Sequence, residues 1–198
     1  MIDREKAKAT IKVHLLEGGE ARKATVEKAS DAIIRAADTI AERVKAGGKL
    51  LIAGNGGSAA DAQHFATEFM CRLTADYERP AIPAIALTTD TSFLTAYPND
   101  YGFAGLFERQ VEALGRPGDI FVGISTSGAS ENVLRAVELS KKRNIVTIAL
   151  CGDRGPLLEK ADIAISVPAP NSQHVQEAHL AVEHLICHLV ERALYPKS

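Results

Sequence analysis

Five short apolar runs govern what this chain can fold into: KLLIAG (49–54), AIPAIALT (81–88), DIFVGIS (119–125), IVTIALCG (145–152) and ADIAISV (161–167). They are nearly continuous in apolar character, with little of the polar alternation of a half-exposed strand. That is the pattern of strands covered on both faces. Between and after them lie helical periodicities at about 58–72, 102–114, 129–142 and 155–160, with a long one at 174–194. Strands alternating with helices build a parallel sheet flanked on both sides. The predicted fold class is α/β, a doubly wound, mainly parallel five-stranded sheet.

Residues 3–46 read as helix, divided in two at Gly18-Gly19. The second segment places Val26, Ala29, Ile33, Ala37, Ile40 and Val44 on one stripe and stops at Gly47-Gly48. No linker, repeat or low-complexity segment interrupts the chain. The expectation is a single domain, 1–198, with N-terminal helices over 1–48 and an α/β core plus C-terminal helix over 49–198.

A formal net charge of −2 gives no electrostatic case for nucleic acid as a partner. Residues 1–48 also lack a basic recognition helix. Cys71, Cys151 and Cys187 match no zinc or redox spacing, which fits a reducing compartment. The first residues, MIDREKAKAT, hold no apolar signal segment. No run approaches the ~20 apolar residues of a bilayer span. A cytoplasmic protein with no membrane partner is expected.

Ligands of such sheets sit at the carboxyl ends of strands, where two turns stand out. The first, Gly54-Asn55-Gly56-Gly57-Ser58-Ala59, fits the dinucleotide pattern G-x-G-x-x-A. That reading needs an acidic residue at the end of the next strand, about 20 residues on, to hold the ribose. Asp76 has the count, but it precedes Arg79-Pro80 and the beginning of AIPAIALT, the wrong end of that strand. The plain alternative is a tight turn with Ser58 as helix cap and Asp61 three residues later. The second turn carries four hydroxyls in six residues: Ser125, Thr126, Ser127 and Ser130. A single hydroxyl suffices for a cap. Hydroxyls, backbone amides and a helix N-terminus together suit a dianionic phosphate. No lysine is present in the loop, which favours a phosphate monoester over a nucleoside triphosphate.

His64 and Glu68 are four apart on the helix after the first turn, so they share a face about 9 Å along the axis from Ser58. Gln176, Leu180 and His184 form a stripe on the last helix. Singly, each polar residue has an ordinary explanation as a solvated glutamate or a satisfied histidine. His14, His174 and His188 keep that explanation, while His179 stays open.

The stretches AGNGGSAADAQHFATEF, GISTSGASENV and QEAHLAVEHL resemble the sugar-isomerase (SIS) domain family, and within it the branch that isomerises a heptose phosphate. The likeness spans essentially the whole chain. It implies conversion of D-sedoheptulose 7-phosphate to D-glycero-D-manno-heptose 7-phosphate through a cis-enediol, the first step toward a nucleotide-activated heptose. It further implies Glu68 as general base and His184 as its acid/base counterpart. Ser125, Thr126, Ser127 and Ser130 would hold the phosphate. Asn55, Gly56, Gly57, Ser58, Arg72, Asn99, Asp100 and Gln176 would orient the sugar. One Zn²⁺ per subunit on His64, Glu68, Gln176 and His184, and a homotetramer, are implied by the same resemblance. Arg72 and the apparent turn at Asn99-Asp100 have plain surface readings when taken alone. Gln173 departs from the acidic residue that some relatives carry near the substrate. A non-catalytic SIS protein, sensing a sugar phosphate or binding a replication-initiator partner, is the alternative; it would not need the four-residue set.

Overall fold

The structure, a computed structural model, describes residues 1–196; Lys197 and Ser198, the last two of the expected domain, lie outside the described residues. Helix α1 covers Arg4–Lys45, about 63 Å at 1.5 Å per residue. Its first amides are capped by Asp3, whose carboxylate accepts from the Glu5 and Lys6 N–H groups. The break expected at Gly18-Gly19 is absent, so there is one N-terminal helix and not two. Glycine costs a helix only about 1 kcal/mol relative to alanine. A continuous buried stripe, including Ala21, Ala29, Ile33, Ala37 and Ile40, outweighs that. Gly18 is itself buried where α1 crosses the last helix, and a Cβ there would lie 2.7 Å from the Glu177 Oε2. Val26, assigned to the buried stripe from periodicity, points outward and is 65% exposed.

The five expected strands are all present: β1 (Leu50–Gly54), β2 (Ala84–Ala86), β3 (Ile120–Ser125), β4 (Val146–Gly152) and β5 (Ile163–Val167). They pair in the order β2-β1-β3-β4-β5, and each neighbouring pair is parallel. The sheet is thus wholly parallel, beyond the mainly parallel expectation. The helices are α2 (Gly57–Met70), α3 (Thr91–Tyr101), α4 (Leu106–Leu114), α5 (Glu131–Lys142), the single turn α6 (Leu157–Lys160) and α7 (Ser172–Leu194).

Helix α3 is missing from the sequence reading, and the reason is physical. None of its residues is fully buried, Phe93, Leu94 and Tyr97 packing only partly against the core beneath them, and Pro98 within it reads as a breaker. Asp90 starts it by accepting from the Phe93 N–H at 3.0 Å. Asn99 and Asp100 therefore lie in the last turn of a helix, and the expectation of a free turn there is corrected.

Strand residues alternate between two cores. Leu50 and Ile52 of β1 join Phe65, Phe69, Ile33, Ile40 and Ile186 under α1, α2 and α7. Leu51 and Ala53 join Phe107, Val111, Val133 and Leu157 under α4, α5 and α6. Each fully buried side chain of this kind contributes ~1.5–3 kcal/mol. Because both faces are covered, no polar phase survives in the strands. From β1 the chain passes to β2 on one side and later to β3 on the other. The carboxyl ends of β1 and β3 hence flank a topological switch point, where such sheets open a crevice.

Candidate active site

The two turns flagged in the sequence follow β1 and β3, side by side at this crevice. The first is shaped by close approaches. Gly56 has φ 55° and is the N-cap of α2, which no side chain caps. Ser58 lies within the helix, 5% exposed, so its expected capping role is corrected. A Cβ on Gly54 would fall 2.5 Å from the Ser58 carbonyl oxygen. One on Gly57 would fall 2.2 Å from the Gln176 Nε2. Glycine at 54 lets β1 touch the backbone of the first turn of α2, and glycine at 57 leaves room for the Gln176 amide of α7.

In the second turn the Ser125 and Ser130 hydroxyls are 2.9 Å apart, with the Ser127 hydroxyl 3.4 Å from Ser125. Ser127 Oγ accepts from the Ala129 N–H at 3.3 Å. Ser130 is the N-cap of α5, yet its side chain makes no capping bond. The hydroxyls thus cluster on one another beside an uncapped helix N-terminus, an arrangement suited to an anion. Backbone bonds fix the loop: Thr126 O accepts from the Gly152 N–H and Gly128 O from the Leu157 N–H. Gly128, at φ 64°, leaves no room for a side chain beneath the Arg154 carbonyl.

Asn55 and Asn132 join the two turns by exchanging amide bonds, each 2.9 Å. Asn132 was not singled out in the sequence. Its one signal is an amide in the first turn of α5 on the face that the buried Val133 and Ala136 also help to cover.

Beyond the first turn, α2 and α7 bring three predicted residues together. The His64 Nε2 lies 2.7 Å from the His184 Nε2 and 3.6 Å from the Glu68 Oε1. Two imidazole nitrogens so close need a proton or a cation between them, since their lone pairs repel otherwise. The Glu68 Oε2 is buried without a hydrogen-bond partner. Gln176 sits nearer the start of α2, against Gly57 and beside Asp61. Burial raises the Asp61 pKa, against the opposing effect of Gln176 and His64. An open cavity of about 290 Å³ is lined by Asp61, Gln173, Gln176, Glu177 and Leu180. Gln173, the noted departure, is therefore at the rim of the site.

Several supporting residues escaped sequence reading. Arg79 is buried and clamps the end of α2: its guanidinium donates to the carbonyls of Glu68 and Phe69, each at 2.7 Å. It also pairs with Glu191 of α7 at 2.7 Å. Burial, with the Asp61 charge added, pushes the Glu183 pKa up to about 9, so that carboxyl is neutral at pH 7. Burial likewise lowers His179 to about 4. His179, which the sequence left open, is a fully buried ring.

Three predicted residues do not join this cluster through the contacts of one chain. Arg72 pairs with Glu78 at 3.0 Å on the surface. Asn99 donates to Asp100 at 2.8 Å, and both are exposed.

A wholly parallel sheet with two glycine- and serine-rich turns at its switch point, flanked by helices on both faces, is the arrangement of a SIS domain. The SIS domain family profile matches residues 17–152. The phosphoheptose isomerase of Roseiflexus sp. strain RS-1 is 47% identical over 177 residues, 89% of each chain. That of Chlorobaculum tepidum is 48% identical over 182 residues, 91% of this chain and 87% of the relative. Among solved structures, the phosphoheptose isomerase of Neisseria gonorrhoeae superposes with a TM-score of 0.86 at 39% identity, covering 93% of this chain and 98% of its own. That of Francisella tularensis gives 0.87 at 36% identity, covering 97% and 100%. The chain belongs to the phosphoheptose isomerase family of SIS-domain proteins.

Proposed function

We propose that this chain is an aldose–ketose isomerase that converts D-sedoheptulose 7-phosphate to D-glycero-D-manno-heptose 7-phosphate. The observation that carries the mechanism is the convergence of His64, Glu68 and His184, with the Glu68 Oε2 left unpartnered. The phosphate is held by the hydroxyls of Ser125, Thr126, Ser127 and Ser130 and by the first amides of α5. Asn55, Gly56, Gly57, Ser58 and Gln176 orient the carbon chain along α2 toward the His/Glu cluster. Glu68 takes a proton from C1 of the ketose, exchanges it with solvent, and delivers a proton to C2. His184 moves the hydroxyl proton between the two oxygens of the cis-enediol. Each such group is typically worth ~10²–10⁴ in rate.

The ligating atoms of His64, Glu68 and His184 lie within 4.8 Å of one another, and the facing imidazole nitrogens with an orphaned carboxylate oxygen fit a Zn²⁺ ion. Gln176 would complete the set, with its amide turned from Asp61. When bound, the metal polarises the sugar oxygens and stabilises negative charge on them.

Arg72, Asn99 and Asp100 act on substrate in an oligomer, where a second subunit completes the site. Support comes from the outward apolar residues of α1 and α7, among them Leu15, Val26, Ile34, Leu185 and Leu189. A homotetramer is the proposed assembly and the cytoplasm the proposed location; no helix of the described residues is long and apolar enough to cross a membrane. The non-catalytic alternative is not favoured, since it has no use for the His/Glu convergence.

Proton NMR of the protein with sedoheptulose 7-phosphate in D₂O tests the reading. Wild type forms the aldose with deuterium at C2. Glu68→Gln keeps the fold and loses at least ~10² in kcat. Near-normal turnover by that variant would remove Glu68 as the base, and an inert wild type would remove the activity.

A further inference from the structure

A second cluster with metal-ligand character lies where α1 crosses the beginning of α7, apart from the groups assigned to catalysis. His14 of α1 and His174 and Glu177 of α7 bring one ligand atom each to within 4.8 Å of the others. The two oxygens of Glu177 divide between the rings: Oε1 is 2.9 Å from the His14 Nε2, and Oε2 is 3.1 Å from the His174 Nδ1. Ligands at ~2.0–2.1 Å around a tetrahedral zinc ion stand roughly 3.3 Å apart, close to the two separations between Glu177 and the rings.

Two further features set this cluster apart from a surface ion pair. The first is an outer carboxylate. The His174 side chain is 1% exposed, and its other nitrogen, Nε2, lies 3.3 Å from the Glu17 Oε2. A carboxylate there holds the proton on Nε2 and turns the Nδ1 lone pair toward Glu177 and His14, the arrangement that orients metal-binding histidines. The second is Gly18. A Cβ at that position would fall 2.7 Å from the Glu177 Oε2 and 3.3 Å from the His174 Nδ1. The helix keeps its least favourable residue short of proline where any side chain would fill the cradle. Solvent reaches the group, because the His14 and Glu177 side chains are 42% and 40% exposed. An open cavity of about 440 Å³ adjoins it, lined in part by His14, Glu17, Asn171 and His174.

We propose that His14, His174 and Glu177 form a second site for a divalent transition-metal ion, with Zn²⁺ as the preferred occupant, tying α1 to the first turns of α7. Two imidazoles and one carboxylate with a solvent-facing position suit zinc and its neighbours over magnesium or calcium, which take oxygen ligands. Without metal, a proton on the His174 Nδ1 takes its place between the ring and Glu177, and the metal displaces it on binding. The site is structural: its three ligands have no part in the proposed proton transfers and cross-link two helices, with Glu177 also lining the cavity beside Gln176.

The test is a zinc count. Full-length protein is stripped with chelator, titrated with Zn²⁺ at pH 7.5, passed through a desalting column and measured by elemental mass spectrometry. The proposal expects two ions per wild-type chain, one in His14→Ala with isomerase turnover unchanged, one in His64→Ala, and none in the double variant. Glu177→Gln should match His14→Ala in zinc count, which guards against misfolding of either single variant. Wild-type zinc that His64→Ala removes entirely overturns the proposal, as does a second ion that persists in both His14→Ala and Glu177→Gln. A single wild-type ion that is retained in His64→Ala and absent from His14→Ala supports this site while counting against the catalytic metal. The two readings therefore fail separately.

Discussion

Arg79→Ala is the perturbation that best tests how the fold holds the proposed base. Arg79 is 7% exposed overall, and its guanidinium reaches Glu191 on α7 and the carbonyls of Glu68, Phe69 and Pro80. The Glu68 and Phe69 carbonyls belong to the last turn of α2, where no helical N–H follows to bond them. Removing Arg79 leaves Glu191, 1% exposed, with the Leu73 N–H as the other donor to its carboxylate. A buried charge stripped of its partner costs about 3–5 kcal/mol. The Glu68 carbonyl is left without a donor, which adds ~1 kcal/mol or more, while the Phe69 carbonyl keeps the Ile82 N–H at 3.1 Å. These terms share atoms and do not sum cleanly, so the expected loss is about 4 kcal/mol or more, a large part of a domain's ~5–15 kcal/mol. Urea unfolding followed by circular dichroism, at one fixed protein concentration, measures it. The paired variant Arg79→Met/Glu191→Leu removes both charges and keeps the volume, so it should recover most of the stability. Its kcat should stay depressed, because the carbonyl clamp on the Glu68 turn is still gone. An Arg79→Ala cost under ~1 kcal/mol, or a paired variant as unstable as the single one, would refute the assignment of Arg79 as the clamp.

Gly57→Ala should fold as well as wild type, since the helix gains ~1 kcal/mol of propensity. It should nonetheless lose ~10-fold or more in kcat/KM, because the new Cβ displaces the Gln176 amide; unchanged kinetics would mean that Gln176 does not position the substrate. Asp162 is partly buried, which opposes ionisation, but bonds from the Thr147 N–H and hydroxyl and from Lys141 outweigh this and hold its pKa below the ordinary value. A depressed carboxyl stabilises the fold above its unfolded pKa of about 3.9 and loses that contribution as pH falls through the native value. The advantage of wild type over Asp162→Asn should hence be full above pH ~4 and shrink below it in acid unfolding; a pH-independent gap would refute this. Cys71 is exposed, whereas burial pushes Cys151 up to about 12 and raises Cys187 further. A thiol reagent at pH 8 should therefore modify one cysteine per native chain, and rapid reaction of a second would contradict the buried placement.

The sequence carried the sheet almost in full, because strands covered on both faces must be apolar at every position. All five runs became strands in the expected places. Helix α3 was illegible for the converse reason: it is short, its apolar residues Phe93, Leu94 and Tyr97 are only partly buried, and Pro98 inside it reads as a stop. Gly18-Gly19 misled because local propensity favours a break there, while the contact with Glu177 and His174 that uses Gly18 is made by residues more than 150 positions away.

Local chemistry likewise announced the two turns and the i,i+4 pair of His64 and Glu68, since spacing along one helix fixes a shared face. What sequence spacing could not decide was which distant groups meet them. The 2.7 Å approach of His184 to His64, the Asn55–Asn132 bridge and the Arg79 clamp each join residues brought together only when α7, α5 and the segment before β2 pack on the sheet. Those encounters depend on the order and tilt of whole elements, which follow from the burial of both cores at once. By itself, then, the sequence determined the secondary structure of the core and the chemical types at the site. The tertiary structure alone decided the partners, because a contact between helices is set by packing geometry and leaves no periodic mark on either strand of sequence.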